Sequence, residues 1–386
     1  MGANKEFMGF ARPDGVGTRN HVGVMCTVGC SADVVNELAR KFRGVKPLVH
    51  HQGCALVPSD LERTKGVLVG LGLNPNLHSL LLVGLGCEGV PIDEVADEVA
   101  KVKQVEAIAV QEVGGMAGAV RKGGRILKKL IEDAGKCRRE SFGVSELTLG
   151  IKCGASDATT GIVTNQVAGK VADMLIDKGA TVVFSETTEL IGAEHILARR
   201  AASGEVAEKL LRVVEGMERR IMAAGEDVRG GQPTRGNIEG GITTLEEKSL
   251  GAVAKSGSRP LMGVVDYGER PKGKGLYFMD GPGREMEALT GLAAGGSQIA
   301  LFTTGRGAPQ GFPIVPVLKV SGNPETCWKL AEHIDVDVSG AVKEGLEKAA
   351  EKVYGELLEV SSGKLTKAEI CGYDETFEIY VRGPVI

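Results

Sequence analysis

Three cysteines sit where a strand-like run gives way to glycine. Residues 21–28 lead into Gly29-Cys30, residues 47–52 into Gly53-Cys54, and the apolar run 80–83 into Gly84, Gly86 and Cys87. Thiols at three successive strand ends would gather at one sheet edge, where thiolates bind a soft metal or an iron–sulfur cluster. A buried thiol is otherwise just a small apolar side chain, and Cys26, in mid-strand, is read that way. The chain contains no C-x-x-C pair, so spacing leaves Cys30, Cys54 and Cys87 open between a metal site and plain tight turns.

Other polar residues cluster at further strand ends. CGASDATTG, residues 153–161, places a thiol, hydroxyls and Asp157 at a helix start, where Asp157 is either a catalytic acid–base group or an N-cap. SETTELIGAEHI, residues 185–196, gathers Glu186, Glu189, Glu194 and His195. A strand-end carboxylate with a nearby histidine suits proton transfer near neutral pH, and the competing reading is a solvated helix face. FTTGRG sets Arg306 between glycines after an apolar strand, a place for bidentate contact with a carboxylate or phosphate. Arg19 in VGTRN and Arg235 in PTRGN are weaker cases of the same kind. GLGCEG, residues 84–89, matches G-x-G-x-x-G between a strand and a helix, with Glu112 further on, and so admits a NAD-binding oxidoreductase. This match falls in the third βα unit, whereas the usual fingerprint opens the first.

Strands alternating with helical patterns must position these groups. Strands are expected at 21–28, 47–52, 79–85 and 106–113, with helices at 31–42, 59–71, 92–102 and 117–134 between and after them. A second set follows the charged stretch 136–140. It has strands at 147–153 and 181–186, and helices at 161–178, 189–202 and 205–224. Strands at 261–267, 275–280, 298–304 and 313–320 come next, then helices at 324–332 and 340–360. Residues 1–20 and the Gly/Asn/Thr-rich 225–243 read as loops. The expected fold class is α/β, with Rossmann-like parallel sheets, helices on both faces and two or three α/β units. Residues 1–140 form a first α/β domain carrying Cys30, Cys54 and Cys87. Residues 141–386 form a second α/β region, as one or two subdomains with the break near 225–260.

Composition narrows the function classes. The chain has 386 residues and a net charge of -4, with no basic footprint for nucleic acid. No apolar run approaches the roughly 20 residues of a membrane span, and the first residues have no signal-peptide core. The expected location is the cytoplasm. The eight cysteines are spread along the chain, as free, metal-binding or catalytic thiols are.

Taken together, RPDGVGTRN, TVGCSA, GCALVPSDLERT, LVGLGCEG, QEVGG, CGASDATTGI, ETTELIGAEHILARRA, NIEGGITTLEEKSLGAVAKSG and FTTGRGAPQG resemble the altronate/galactarate dehydratase family of sugar-acid lyases. These phrases run in order over most of the chain. The resemblance implies elimination of water from an aldonate or aldarate to give a 2-keto-3-deoxy acid. It also implies dependence on iron, as Fe2+ or an iron–sulfur cluster, with Cys30, Cys54 and Cys87 as the metal ligands. In that reading His195 is the leading acid or base, Glu186 and Asp157 are alternatives, and Arg306, Arg19 and Arg235 bind substrate. Full-length members carry a small β-rich domain ahead of this region, so a separate small β-rich subunit is the expected partner, along with homo-oligomerisation. A related branch, the sulfolactate sulfo-lyases, splits the two parts into separate chains. SGNPETCWKLAEHIDVDVSG resembles the large subunit of that branch, whose release of sulfite is the alternative reaction. Sulfo-lyases of this branch do not keep the three cysteines, so their presence favours dehydration. A third, non-enzymatic reading is a regulatory or scaffold homologue.

Overall fold

The computed structural model describes residues 5–386. Its first α/β unit is a four-stranded parallel sheet in the order Val45–Leu48, His21–Cys26, Leu77–Gly84, Gln104–Ala109. The central strand explains the layers on either side. Leu80, Leu81, Leu82 and Val83 are all fully buried, as a strand covered on both faces must be. Successive side chains point to opposite faces. Leu80 and Leu82 join Leu68, Leu71, Val95 and Val99 from helices Pro58–Gly72 and Ile92–Ala100. Leu81 and Val83 join Val35, Leu38, Leu127 and Leu130 from helices Ala32–Lys41 and Gly115–Ala134.

The second sheet has seven parallel strands. Their order is Leu261–Val265, Gly275–Met279, Thr181–Phe184, Thr148–Gly154, Ile299–Thr304, Val317–Ser321, Val336–Asp337. Strands from both sides of 225–260 therefore share one sheet. The chain builds first to one side of Thr148–Gly154, then returns to pair Ile299–Thr304 on the other. Such a reversal opens a crevice beyond the strands' carboxyl ends, where ligands of open α/β sheets bind. The two strand ends are tied there, since Gly305 N and Arg306 N both donate to Ala155 O at 3.3 and 2.8 Å.

Several expectations are corrected. Residues 1–4 of the expected leading loop lie outside the described residues, but Glu6–Arg12 and Gly15–Gly17 are strands. With Glu140–Gly143 they form a small antiparallel sheet. The expected helix 189–202 shrinks to Glu194–Ala198, because Thr187–Glu189 is a 3-10 turn that folds Glu189 inward. Segment 225–243 contains a helix, Arg235–Glu239, closed by a capping box from Thr234 and Asn237. Helices Leu245–Ala254, Glu285–Ala294 and Lys367–Cys371 were not expected.

The two sheets are docked by buried asparagines. Asn74 Nδ2 donates to Ala293 O and Ser297 O at 2.8 and 3.0 Å, and Asn76 Nδ2 to Gln298 O and Ile314 O, both at 2.8 Å. Gly70 brings Pro58–Gly72 against Glu285–Ala294, where an added Cβ would lie 2.6 Å from Ala294 O. The C-terminal tail returns across the first sheet, and Ile386 N donates to Ala55 O at 2.9 Å.

Candidate active site

The richest polar cluster lies at the carboxyl ends of Thr148–Gly154 and Thr181–Phe184. Lys152, Cys153, Glu186, Glu189 and Lys255 are all buried. Glu186 Oε1 accepts from Lys152 Nζ at 2.6 Å, and Glu186 Oε2 accepts from Lys255 Nζ and from Cys153 N, the latter at 3.1 Å. Lys255 Nζ also donates to Cys153 Sγ at 3.0 Å and to Glu189 Oε2 at 3.4 Å. Cys153 Sγ donates to Glu189 Oε2 at 2.9 Å. Lys248 Nζ lies 3.2 Å from Glu189 Oε1 and donates to Gln232 Oε1 at 2.6 Å and Asn237 Oδ1 at 3.0 Å. Charge therefore alternates along Lys152, Glu186, Lys255, Glu189 and Lys248.

Local backbone explains how these groups meet. Glu186 holds φ at +86°, a left-handed conformation that costs a non-glycine residue about 1–3 kcal/mol. It turns the chain at once from strand into the 3-10 turn Thr187–Glu189, so both carboxylates face the strand Thr148–Gly154. Lys248 and Lys255 lie seven residues apart on Leu245–Ala254 and its C-cap, hence on one helix face. The Thr244 side chain accepts from Glu247 N and starts that helix.

Burial and neighbours set the protonation states. Burial opposes ionisation of Glu189, but Lys248, Lys255 and Lys152 outweigh it and hold its carboxyl below the usual range. Burial likewise disfavours the ammonium of Lys152, yet Glu186, Glu285 and Glu189 prevail and raise it. Lys255 is raised well above its ordinary value, the carboxylates again overcoming burial. Burial, reinforced by Glu186 and Glu189, pushes the Cys153 thiol far up, so it stays protonated. Lys152, Lys255 and Lys248 are thus interleaved with Glu186 and Glu189, and Glu285 acts on Lys152 as well.

A cavity of about 500 Å³ opens onto this cluster, lined in part by Cys153, Asp157, Thr160, Glu189 and Lys248. That volume is in the range of small-molecule sites. Asp157 is an N-cap in its wall. Its Oδ1 accepts from Thr159 Oγ1, Thr160 N and Thr160 Oγ1 at 2.6, 3.0 and 3.2 Å, and its Oδ2 from Asn323 Nδ2 at 2.8 Å. With both oxygens engaged, Asp157 orders the turn at the cavity wall.

The other expected residues are scattered. His195 is exposed on Glu194–Ala198, and none of the hydrogen bonds joining the buried cluster reaches it. Arg19 is buried, and its five N–H groups go to Glu369, Thr18 O, Val360 O and Lys364 O, so it joins the first domain to the C-terminal helices. Arg306 is half-exposed and donates to Gly236 O at 2.6 Å and Glu239 Oε2 at 3.2 Å. Exposed Arg235 donates to Glu239 Oε1 at 2.9 Å. Arg306 and Arg235 thus share one carboxylate beside the Arg235–Glu239 helix, and Asn237 of that helix donates to Ser156 O at 2.9 Å.

Cys30, Cys54 and Cys87 are exposed on three loops of the first domain. The loops are knit together. Gly29 N donates to Gln52 O at 3.1 Å, and Gly89 N and Val90 N donate to Gly53 O at 3.0 and 3.2 Å. Gly53, at φ +109°, is required by close approach, since an added Cβ would fall 2.2 Å from Thr27 O. Cys30 and Cys54 share a cavity of about 760 Å³ with His50, His51, Met286 and Glu378, while Cys87 Sγ accepts from Gln111 Nε2 at 3.6 Å. Among the described residues, the three-donor set converging within 4.8 Å is instead Cys153, Glu186 and Glu189.

The GLGCEG turn holds a carboxylate where a dinucleotide phosphate would lie. Glu88 Oε2 accepts from Gly86 N at 2.6 Å and Glu88 Oε1 from Thr27 Oγ1 at 2.9 Å. The following helix Ile92–Ala100 carries Asp93 and Glu94 in its first turn, adding repulsion.

Sequence reasoning missed Lys152, Lys248 and Lys255 as members of this cluster, and grouped Glu189 with Glu186 without giving it a role. A signal existed for Lys152, a charge inside the core strand LGIKCG. Lys248 and Lys255 had one in their seven-residue spacing after the T-x-x-E start at Thr244.

Residues 144–384 match the model of the D-galactarate/altronate dehydratase C-terminal domain, and residues 9–135 that of the D-galactarate dehydratase/altronate hydrolase second domain. The chain is 36% identical over 378 residues to the (2R)-sulfolactate sulfo-lyase subunit beta of Chromohalobacter salexigens, covering 96% of each chain. It is 35% identical over 381 residues to the altronate dehydratase of Bacillus subtilis, covering 95% of this chain and 76% of that one. It is 32% identical over 383 residues to the galactarate dehydratase (L-threo-forming) of Escherichia coli, covering 93% of this chain and 73% of that one. These matches and the buried acid–base cluster make the chain a lyase, a member of the D-galactarate/altronate dehydratase family.

Proposed function

We propose that this lyase removes water from an aldonate or aldarate and yields a 2-keto-3-deoxy acid. The observation that carries the proposal is the cavity whose floor joins Glu189 and Lys248 to a buried cluster of paired lysines and carboxylates. The substrate class comes from the altronate and galactarate dehydratase relatives. Elimination requires loss of a proton α to a carboxylate, which is hard because negative charge builds on the carboxylate oxygens. Fixed positive charge at that place stabilises the transition state more than the ground state. Lys248, at the cavity wall, binds the substrate carboxylate. Glu189, ionised between Lys248 and Lys255, takes the α-proton. The electron pair of the C–H bond becomes the C=C bond, and the β-hydroxyl departs with a proton delivered from an ammonium. The resulting enol takes a proton at carbon and releases its hydroxyl proton to become the keto acid.

Iron is the metal that the family resemblance implies. Cys30, Cys54 and Cys87 suit it by donor chemistry: three solvent-reached thiols on hydrogen-bonded loops. Held there, iron would supply Lewis-acid chemistry at the cavity of Cys30 and Cys54, whose lining shares no residue with the cavity of Glu189 and Lys248.

A second reading, loss of sulfite from a sulfolactate, is favoured by the 36% identity to a sulfo-lyase subunit matched along 96% of both chains. That relative's designation as a subunit also supports a partner chain for this one. The test is anaerobic, iron-supplied full-length chain, with and without such a partner, assayed on an aldonate and aldarate panel and on (2R)-sulfolactate. Keto-acid formation from a sugar acid without nicotinamide supports the proposal. Sulfite release with no sugar-acid turnover moves the case to the second reading.

A further inference from the structure

Two carboxylates and a thiol converging within 4.8 Å, at Cys153, Glu186 and Glu189, have the make-up of a divalent-metal site. The middle of that basket is filled by protein. Lys255 Nζ donates to Cys153 Sγ at 3.0 Å, to Glu189 Oε2 at 3.4 Å and to Glu186 Oε2. An ammonium has three donors, and all three are used on the three atoms a metal would need. The other oxygens are engaged as well, Glu186 Oε1 by Lys152 at 2.6 Å and Glu189 Oε1 by Lys248 at 3.2 Å. A divalent ion added to this set would stand beside the ammonium groups of Lys152 and Lys255 with no water between them, since these are 1% and 0% exposed. It would also need bonds of about 2.0–2.3 Å, which places it within the volume of Lys255 Nζ.

We propose that Lys255 is the built-in cation of this basket, and that Cys153, Glu186 and Glu189 bind no metal in the native chain. Lys255 then acts as a positioning residue. It draws Glu186 and Glu189 to one point and so fixes Glu189 against Lys248 at the cavity wall. This role rests on the proposed elimination, but the occupancy of the basket does not, and metal binding is read without turnover. Loss of Lys255 converts the basket into an open site of two carboxylates and a thiol, which a soft divalent ion would enter with release of the thiol proton.

The experiment uses the full chain carrying Cys30→Ser, Cys54→Ser and Cys87→Ser, so that the proposed iron ligands of the first domain contribute nothing. Anaerobic titration with Co2+ is followed by the thiolate-to-cobalt absorption band. With Lys255 intact, no band is expected. Lys255→Ala, or the polar Lys255→Ser, should gain a band saturating at about one Co2+ per chain, and a further Cys153→Ala should abolish it. A second comparison does not depend on how the Lys255 variants fold. In the Lys255-intact chain, Cys153→Ala should leave metal content after expression in iron- and zinc-supplemented medium unchanged. A Cys153-dependent band or metal content with Lys255 in place would overturn the proposal, as would a folded Lys255→Ala chain that takes up no Co2+.

Discussion

Glu186→Gln isolates the central ion pairs. Gln keeps the shape and carries the same left-handed strain at φ +86°, so the change removes charge and little else. Glu186 is fully buried, and its partners Lys152 and Lys255 are 1% and 0% exposed. A glutamine can offer its carbonyl to one ammonium, but its NH2 then faces the other, donor against donor. Lys152 would keep only Cys153 O at 2.6 Å and Gly283 O at 3.1 Å. Removing one partner of a buried pair costs about 3–5 kcal/mol, because the remaining charge stays in a dry site. At about 2–4 °C per kcal/mol for a region of this size, calorimetry of the anaerobic full chain should show Tm falling by roughly 6–20 °C. Keto-acid production should be lost in the folded fraction, because Lys255 no longer has Glu186 to hold it beside Glu189. Adding Lys152→Met should recover part of the loss, with a coupling of about 1 kcal/mol or more. A fall in Tm below about 2 °C, with no coupling to Lys152, would refute the alternating-charge account.

Further outcomes follow from the same geometry. Arg19→Ala should lower stability by about 3–5 kcal/mol in chemical denaturation, since buried Glu369 loses a bidentate partner; a raised KM with undiminished stability would return Arg19 to substrate binding. Arg306→Ala should leave Tm within about 2 °C, because its pair with Glu239 is half-exposed, yet raise KM by loosening the Arg235–Glu239 helix near the cavity; wild-type kcat/KM would make it a plain loop residue. Cys30→Ser, Cys54→Ser and Cys87→Ser should each reduce iron content with little change in Tm, as expected for exposed thiols; full retention of iron in all three would remove the first-domain site. Burial lowers His21 to about 3, reinforced by Lys46 and Arg19, and lowers His50 to about 4 against the opposing hydrogen bond to Cys26. The unfolded chain therefore takes protons at about pH 6.5, before the folded one does, and stability should fall as pH drops through the histidine range. Urea melts showing constant stability between about pH 7 and 5 would contradict the neutral, buried state of these rings.

What was legible in the sequence was what depends on runs of neighbours. Leu80–Val83 and Ile299–Phe302 announce buried strands because every member is apolar, and both are core strands. Glu285–Ala294 was missed for the opposite reason. It is buried nearly all round between the two sheets, so Ala288–Ala294 shows no polar stripe to mark a helical period. Glu6–Arg12 was missed because its partner Glu140–Gly143 lies far along the chain, and pairing supplies the order that its mixed residues do not. The site divides in the same way. Asp157 and Glu186 were legible as groups just past strand ends, and Cys153 as a thiol at the end of a core strand, beside Gly154. Lys255 was not, because its contacts depend on how a helix after the long segment 225–243 is laid across the sheet.

Polar residues out of place in core strands would have narrowed that gap, provided their counter-ions are asked for. Lys152 in LGIKCG and Lys319 in PVLKVS both sit in strands of the large sheet, and both are buried. A buried ammonium is costly unless it is paired. Lys152 meets the Glu186 carboxylate at 2.6 Å, and the carboxylates raise its pKa, so it keeps its charge where the cavity cluster needs it. Lys319 finds one carbonyl, Gln310 O, at 3.4 Å, and burial lowers it to about 8 despite Asp335 nearby. The two residues look alike in the sequence and differ in what the neighbouring strand ends bring to them. A charge in a core strand therefore points to a reaction site when carboxylates from the next strand's turn converge on it. Thr181–Phe184 delivers them through the turn at Glu186, while Val336–Asp337 places none within an ion-pair distance of the Lys319 ammonium.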